Sequence, residues 1–260
     1  MLKFRGKLLA VLLACVGVVT IQAQNVGSLE LSGRLKIDGK QEKFSRKRFY
    51  LLKGGLKANQ PVIDRLRAAE IKSRDCFYFD AKASPQFICW LKAGNCESPY
   101  CRAVKTEEVD KVPEFKAAYQ EGMTQYKGFT GVARDWITTS LPPILSSGYY
   151  LERRKLTETL LGGLQPLQSS MTDSVTVRAI FIDIPVSPAA GKKTETFLVS
   201  NILPIEFGTK SYLWACEVEI GTEKPASLRL ALPEGNKPVK NCEVFVRDLK
   251  VCGTESCPDK

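Results

Sequence analysis

Two kinds of periodicity divide the chain. Between residues 27 and 53, Leu29, Leu31, Leu35 and Ile37 share one parity, which places them on one face of an extended strand provided Gly33 keeps the register. Asp38-Gly39 is a turn dipeptide. A second strand over residues 48–53 carries Phe49, Tyr50, Leu51 and Leu52 and stops at Gly54-Gly55.

From residue 57 to 165 the spacing lengthens to that of helices. Asn59 followed by Pro61 opens the first, through Val62, Leu66 and Ala69. Ser84-Pro85 opens a second, through Phe87, Ile88 and Leu91, with Gly94 as its stop. Pro113 starts a third with Phe115, Ala118 and Tyr119 in register, residues 134–139 form a short fourth, and residues 149–161 form a fifth that ends at Gly162-Gly163.

After residue 173 the period returns to two. Strands are expected over residues 174–184, 193–203, 212–220, around Leu228, Leu230 and Leu232, and over 242–246. In residues 212–220 Tyr212, Trp214, Cys216, Val218 and Ile220 share one face and Glu217 and Glu219 the other. The predicted class is α+β: an antiparallel β-sandwich or meander formed by N- and C-terminal strands, with a helical insertion tied by disulfides. The corresponding segments are 1–23, a signal peptide; 24–56, a strand pair; 57–165, helical and cysteine-containing; and 166–260, antiparallel β.

The strand pair resembles the opening of the carboxypeptidase-regulatory-like, transthyretin-type β-sandwich. The similarity is carried by Ser32-Gly33-Arg34-Leu35-Lys36-Ile37-Asp38-Gly39-Lys40 and then Phe49-Tyr50-Leu51-Leu52, and it covers residues 27–53. The proline usual after the turn glycine is missing, and helices follow where more strands would be expected. The resemblance implies that the helices interrupt one sandwich, and that the module binds or scaffolds rather than catalyses.

The N-terminus changes the picture of where the protein works. Lys3, Arg5 and Lys7 precede an apolar run from Leu8 to Ile21 and a small residue at Ala23, the layout of a secretory signal. The run is shorter than the roughly 20 residues a stable membrane span needs. A competing route reads Leu12-Leu13-Ala14-Cys15 as a lipobox that acylates Cys15, but Leu13 is bulky where a small residue is usual and the apolar run continues past Cys15. Simple cleavage and a secreted or periplasmic location are therefore the expectation. Cys76, Cys89, Cys96, Cys101, Cys216, Cys242, Cys252 and Cys257 then read as an oxidised framework whose connectivity is open. Cys96–Cys101 and Cys252–Cys257 have the spacing to close small loops. A zinc site would lack both histidine and a Cys-x-x-Cys pair, so no metal or cofactor is expected.

The chain carries a net charge of +10 and no histidine, which excludes Ser-His-Asp and Cys-His hydrolases. The window 32–57 alone holds nine cations against Asp38 and Glu42. Its densest part, from Lys43 through Arg46, Lys47 and Arg48, lies beside Phe44, Phe49 and Tyr50. Lys43, Arg46, Lys47, Arg48 and Tyr50 are thus the candidate binding residues for an anionic polysaccharide or an anionic membrane surface. Export argues against nucleic acid, and no protein partner can be read. The competing account is that the cations protect an exposed edge strand. Trp90, Trp136 and Trp214 read as core. An enzyme would have to use carboxylates. Glu217 and Glu219, about 6.5 to 7 Å apart on one strand face, have roughly the separation of an inverting glycosidase pair; Asp135 is a further candidate. Their competing account is an ordinary wet face and a surface ion pair.

Overall fold

Leu29, Leu31, Leu35 and Ile37 all point inward, at 9 % exposure or less, so the alternation carries through Gly33. The computed structural model describes residues 25–37, 39–234, 237–250, 252, 253 and 257; the signal segment, Cys15 and Asp38 lie outside the described residues. Gly33 separates β1 (Val26–Ser32) from β2 (Arg34–Ile37). Its N–H donates to the Val177 carbonyl at 2.9 Å and its carbonyl accepts from Phe44 at 2.9 Å. β2 turns back into β3 (Lys40–Lys43), and the two form a separate antiparallel ribbon. β4 (Arg48–Lys53) occupies the bounds expected for it.

Seven α-helices follow among the described residues: α1 (Gln60–Ala68), α2 (Arg74–Asp80), α3 (Pro85–Gly94), α4 (Thr106–Val109), α5 (Pro113–Gln125), α6 (Thr130–Ser140) and α7 (Tyr149–Leu161). The Asn59 side chain does not cap α1; its amide donates to the Lys53, Gly54 and Gly55 carbonyls at 2.9–3.0 Å and so holds the turn before the helix. Ser84 does cap α3, accepting from the Phe87 N–H. Gly94 is not the stop: it is the last helical residue, and Asn95 takes the left-handed conformation with φ 50°.

The second β region comprises β5 (Gln168–Met171), β6 (Arg178–Pro185), β7 (Thr194–Ser200), β8 (Ile205–Phe207), β9 (Lys210–Gly221), β10 (Ala226–Arg229) and β11 (Cys242–Asp248). Residues 174–177, expected as strand, form a turn instead. Asp173 accepts the Val175 and Thr176 N–H groups, each at 2.8 Å, and this local closure overrides β-propensity. N- and C-terminal strands interleave in two sheets, ordered β10-β1-β6 and β11-β9-β7-β4-β5 with β8 beside β9. The pairing corrects the expectation of wholly antiparallel strands: β1 and β10 run parallel. Strand neighbours far apart in sequence are free to take either direction.

Alternation on the central strands explains where the apolar clusters sit. Phe49, Leu51, Phe197, Val199, Trp214 and Cys216 pack in one cluster with Leu29, Leu31 and Phe181 of the smaller sheet. The opposite parity, Leu52, Leu198, Leu213 and Ala215, packs in a second cluster with Val62, Ile63 and Leu66 of α1 and Leu160 and Leu161 of α7. The larger sheet is therefore covered on both faces. A third cluster around Tyr78, Phe87, Trp90 and Phe115 joins the helices to one another.

All eight cysteines from Cys76 onward pair. Cys96–Cys101 closes the short loop after α3, with 5.6 Å between Cα atoms. Cys216 and Cys242 face each other in register across β9 and β11 and are bonded. The short loop Cys252–Cys257 does not form. Cys252 instead bonds Cys76 on α2, and Cys257 bonds Cys89 on α3, with Cα separations of 4.9 and 5.3 Å. Cys252 and Cys257 are thus fastened to the helices, which the linear spacing gave no means to foresee. Among the described residues no helix is long and apolar enough to cross a membrane.

Candidate functional site

The basic run does not present one continuous charged surface. Arg46 takes a left-handed backbone conformation, φ 56°, between β3 and β4. Thr172 clamps the same corner: its N–H donates to the Lys47 carbonyl at 2.9 Å, its carbonyl accepts from Arg46 at 2.9 Å, its hydroxyl accepts from Lys47 N–H at 2.8 Å and donates to the Phe44 carbonyl. The corner rotates Lys47 inward, while Lys43, Arg46 and Arg48 stay exposed. Arg46 donates to the Cys101 carbonyl at 2.9 Å and Arg48 to Ser169 Oγ at 3.1 Å. Tyr50 is half-buried against the α1–α7 cluster rather than displayed.

Lys47 enters a cluster of charges that sequence reasoning missed. Its Nζ lies 2.7 Å from Glu97. Arg74 of α2 holds Asp75 at 2.6 Å and the Cys96 carbonyl at 3.1 Å, and its own N–H donates to Glu206 at 2.9 Å. Arg153 of α7 donates to Tyr149 Oη at 3.0 Å and to the Pro204 carbonyl at 3.3 Å. Three cations, Lys47, Arg74 and Arg153, thus meet three carboxylates, Asp75, Glu97 and Glu206. Partial burial pushes the Glu97 carboxyl up, but the cations of Lys47, Arg153 and Arg74 outweigh it and hold it down to about 2. Glu206 goes the other way, its burial outweighing Arg74 and Arg153. Burial also pushes the Tyr149 phenol up.

The space between these groups is about 10 Å³, room for about one water molecule. Small-molecule sites run to about 300–1,000 Å³. The cluster therefore acts as an ionic cross-link between the β3–β4 corner, the helices and β8, with its charges balanced internally. The sequence singled out one member, Lys47, as a cation, and Glu97 is enclosed by Cys96 and Cys101; Arg74, Arg153 and Glu206 carry no signal in the linear order.

The three carboxylates considered for catalysis are separately engaged. Glu217 Oε2 accepts the Leu56 N–H at 2.8 Å and so anchors the turn after β4. Glu219 accepts from the hydroxyls of Thr194 and Thr196 at 2.7 and 2.5 Å, and these bonds hold its carboxyl below the usual range. Asp135 is largely exposed, 3.9 Å from Arg134. Trp90 and Trp214 are buried, and Trp136 is half-buried. The described residues contain no cluster of three or more side chains suited to a metal ion.

Besides Arg46 and Arg48, cations are displayed on the β2–β3 ribbon. Arg34 and Lys43 stand directly opposite each other in register, Lys36 follows two positions along, and all three are exposed. None of the three lies within 4 Å of a carboxylate among the described residues, whereas Lys47, Lys53 and Arg178 do. Like charges directly opposed across a strand pair repel. No protein-family model, no curated protein and no solved structure matches the chain.

Proposed function

We propose that the protein is an exported, non-catalytic binding or structural protein of the cell envelope or extracellular space, which contacts an anionic polymer or surface through the β2–β3 ribbon. The two sheets that share the Leu29, Phe181 and Trp214 cluster are read here as the two leaves of a β-sandwich body. The oxidised framework supports export: every cysteine outside the signal segment has a bonding partner, a pattern of oxidising compartments. The observation that carries the binding reading is the opposed pair Arg34 and Lys43, joined by Lys36, with no carboxylate within 4 Å of their charged ends among the described residues. An anionic partner relieves that repulsion.

The test is retention on an immobilised anionic polysaccharide across a range of ionic strength. Wild type is expected to be held at low salt and released as screening rises. Arg34→Gln combined with Lys36→Gln and Lys43→Gln is expected to elute early under all conditions. Retention of that variant equal to wild type would end the reading. Lys47→Gln serves as the internal control, since its charge is already spent on Glu97.

A further inference from the structure

We infer that the anionic partner is a lipid bilayer, engaged by an apolar face that the segment from β5 to β6 presents beside the cations. This rests on the reading of the ribbon as an anion-binding element and adds to it a second, apolar contact. Five apolar side chains in residues 167–182 are left in solvent: Leu167 at 39 %, Met171 at 45 %, Val175 at 78 %, Ile180 at 57 % and Ile182 at 60 % exposure. On β6 they alternate with buried Ala179 and Phe181, so their outward direction is fixed by the pleat. The two strands are held together where the sheets meet, by Gln168 Nε2 donating to the Ile182 carbonyl at 2.6 Å and by Asp173 N–H donating to the Arg178 carbonyl at 2.9 Å. Exposed apolar side chains gathered on two touching edge strands and the turn between them mark a contact surface more often than scattered ones do.

The backbone pairing places cations around this face. Arg48 stands opposite Met171, Arg178 lies two residues before Ile180, and Gly33 bonds Val177, which brings Arg34 and its partner Lys43 to the same turn. The acidic groups nearby are Glu30, paired with Arg178 at 3.2 Å, Asp173, which caps its own turn, and Asp183 beyond Ile182. Exposed apolar side chains with Arg48, Arg34 and Lys43 on adjoining backbone match an anionic bilayer interface, where burial and charge add. A polysaccharide would use the cations and leave the apolar face wet. A second copy of the chain, pairing along the open side of β6, would bring its own arginines against these. Asp183, at φ 52°, and Pro185 also break the regular edge that such pairing needs.

The experiment compares the natively processed, disulfide-bonded protein with a Val175→Ser, Ile180→Thr, Ile182→Thr variant. Both are measured against vesicles of purely zwitterionic lipid, vesicles containing anionic lipid, and a soluble anionic polysaccharide. Threonine keeps the β-branched shape of exposed strand positions, and thermal melting checks that the fold is retained. The variant is expected to lose at least about tenfold in binding to anionic vesicles. Its binding to polysaccharide is expected to match wild type. Each cation removed from Arg34 or Lys43 is expected to weaken vesicle binding by about fivefold. Unchanged vesicle binding by the triple variant would overturn the inference while leaving anion binding intact. So would a wild-type dimer that the triple variant abolishes without change in lipid affinity. Wild type that binds neither vesicles nor polysaccharide would overturn both this inference and the reading beneath it.

Discussion

Lys47 and Glu97, fifty residues apart, meet at 2.7 Å with the lysine side chain 7 % exposed and the glutamate side chain 44 % exposed. The asymmetry of burial sets the outcome of breaking the pair. Glu97→Gln strands a buried ammonium without its counter-charge and is expected to cost about 3 kcal/mol. Lys47→Met retains the aliphatic stem and leaves a carboxylate that water can reach, for a cost of about 1 kcal/mol. Urea denaturation of the two variants checks the order; equal costs would show that the ammonium is not desolvated.

The same pair has a defined pH signature. Glu97 is depressed from its ordinary 4.5 to about 2 in the folded protein, so its stabilisation is complete above about 4.5 and is lost as pH falls toward 2. Glu206 is shifted the opposite way, so the total stability curve mixes the two. The difference between wild type and Glu97→Gln isolates the first. That difference is expected to be constant from pH 6 to 8 and to shrink below about pH 4.5. A difference independent of pH down to 2.5 would remove the ion pair from the account.

The two long-range disulfides interlace along the chain and share most of one loop. With Cys76–Cys252 in place, Cys89–Cys257 closes a further loop of only about 18 residues, thirteen between Cys76 and Cys89 and five between Cys252 and Cys257. Removing either bridge alone by Cys→Ser pairs is therefore expected to cost about 3 kcal/mol, and removing both about 8 kcal/mol. The double loss exceeds twice the single one because the first remaining bridge has already brought the distant ends together. Denaturant midpoints of the three variants test this, and simple additivity would contradict the shared loop.

Arg247 caps a helix from another part of the chain. Its guanidinium donates to the Leu66 carbonyl at 2.9 Å, the Arg67 carbonyl at 2.6 Å and the Ala69 carbonyl, the unpaired acceptors at the end of α1. Arg247→Lys keeps the charge but loses the fork, with an expected cost of about 1.5–3 kcal/mol. Hydrogen exchange should show the loss concentrated in α1 and β11; uniform deprotection would point to a general effect instead.

Gly55 and Glu217 test the structural account of a carboxylate once weighed for catalysis. A Cβ on Gly55 would collide with the Glu217 carboxylate that binds the Leu56 N–H. Gly55→Ala is expected to cost about 1–2 kcal/mol, and a second change, Glu217→Ala, is expected to add less than its own separate cost. Independent costs in the double-mutant cycle would separate the two residues.

The elements with an unbroken period were legible in sequence. β4, α7 and β9 fall within two residues of their expected limits because each has a run of apolar residues on a fixed face. β3, with sequence KQEK, and β5, with sequence QSSM, have no apolar pattern and form because neighbours offer them backbone partners. The run Cys76–Phe79 hid α2, whose start is set by Ser73 accepting the Cys76 N–H. The candidate cations were visible, but their directions were not. A left-handed Arg46 and the clamp of Thr172, 125 residues downstream of Lys47, decided which of them faces water.

The most direct test of the central claim is the mass of the native protein, alkylated with and without prior reduction. A chain that begins after Ala23, takes up no alkyl group as isolated and takes up eight after reduction is what the account predicts. A chain that still begins at Met1 and alkylates at Cys76, Cys89, Cys252 and Cys257 without reductant would contradict it.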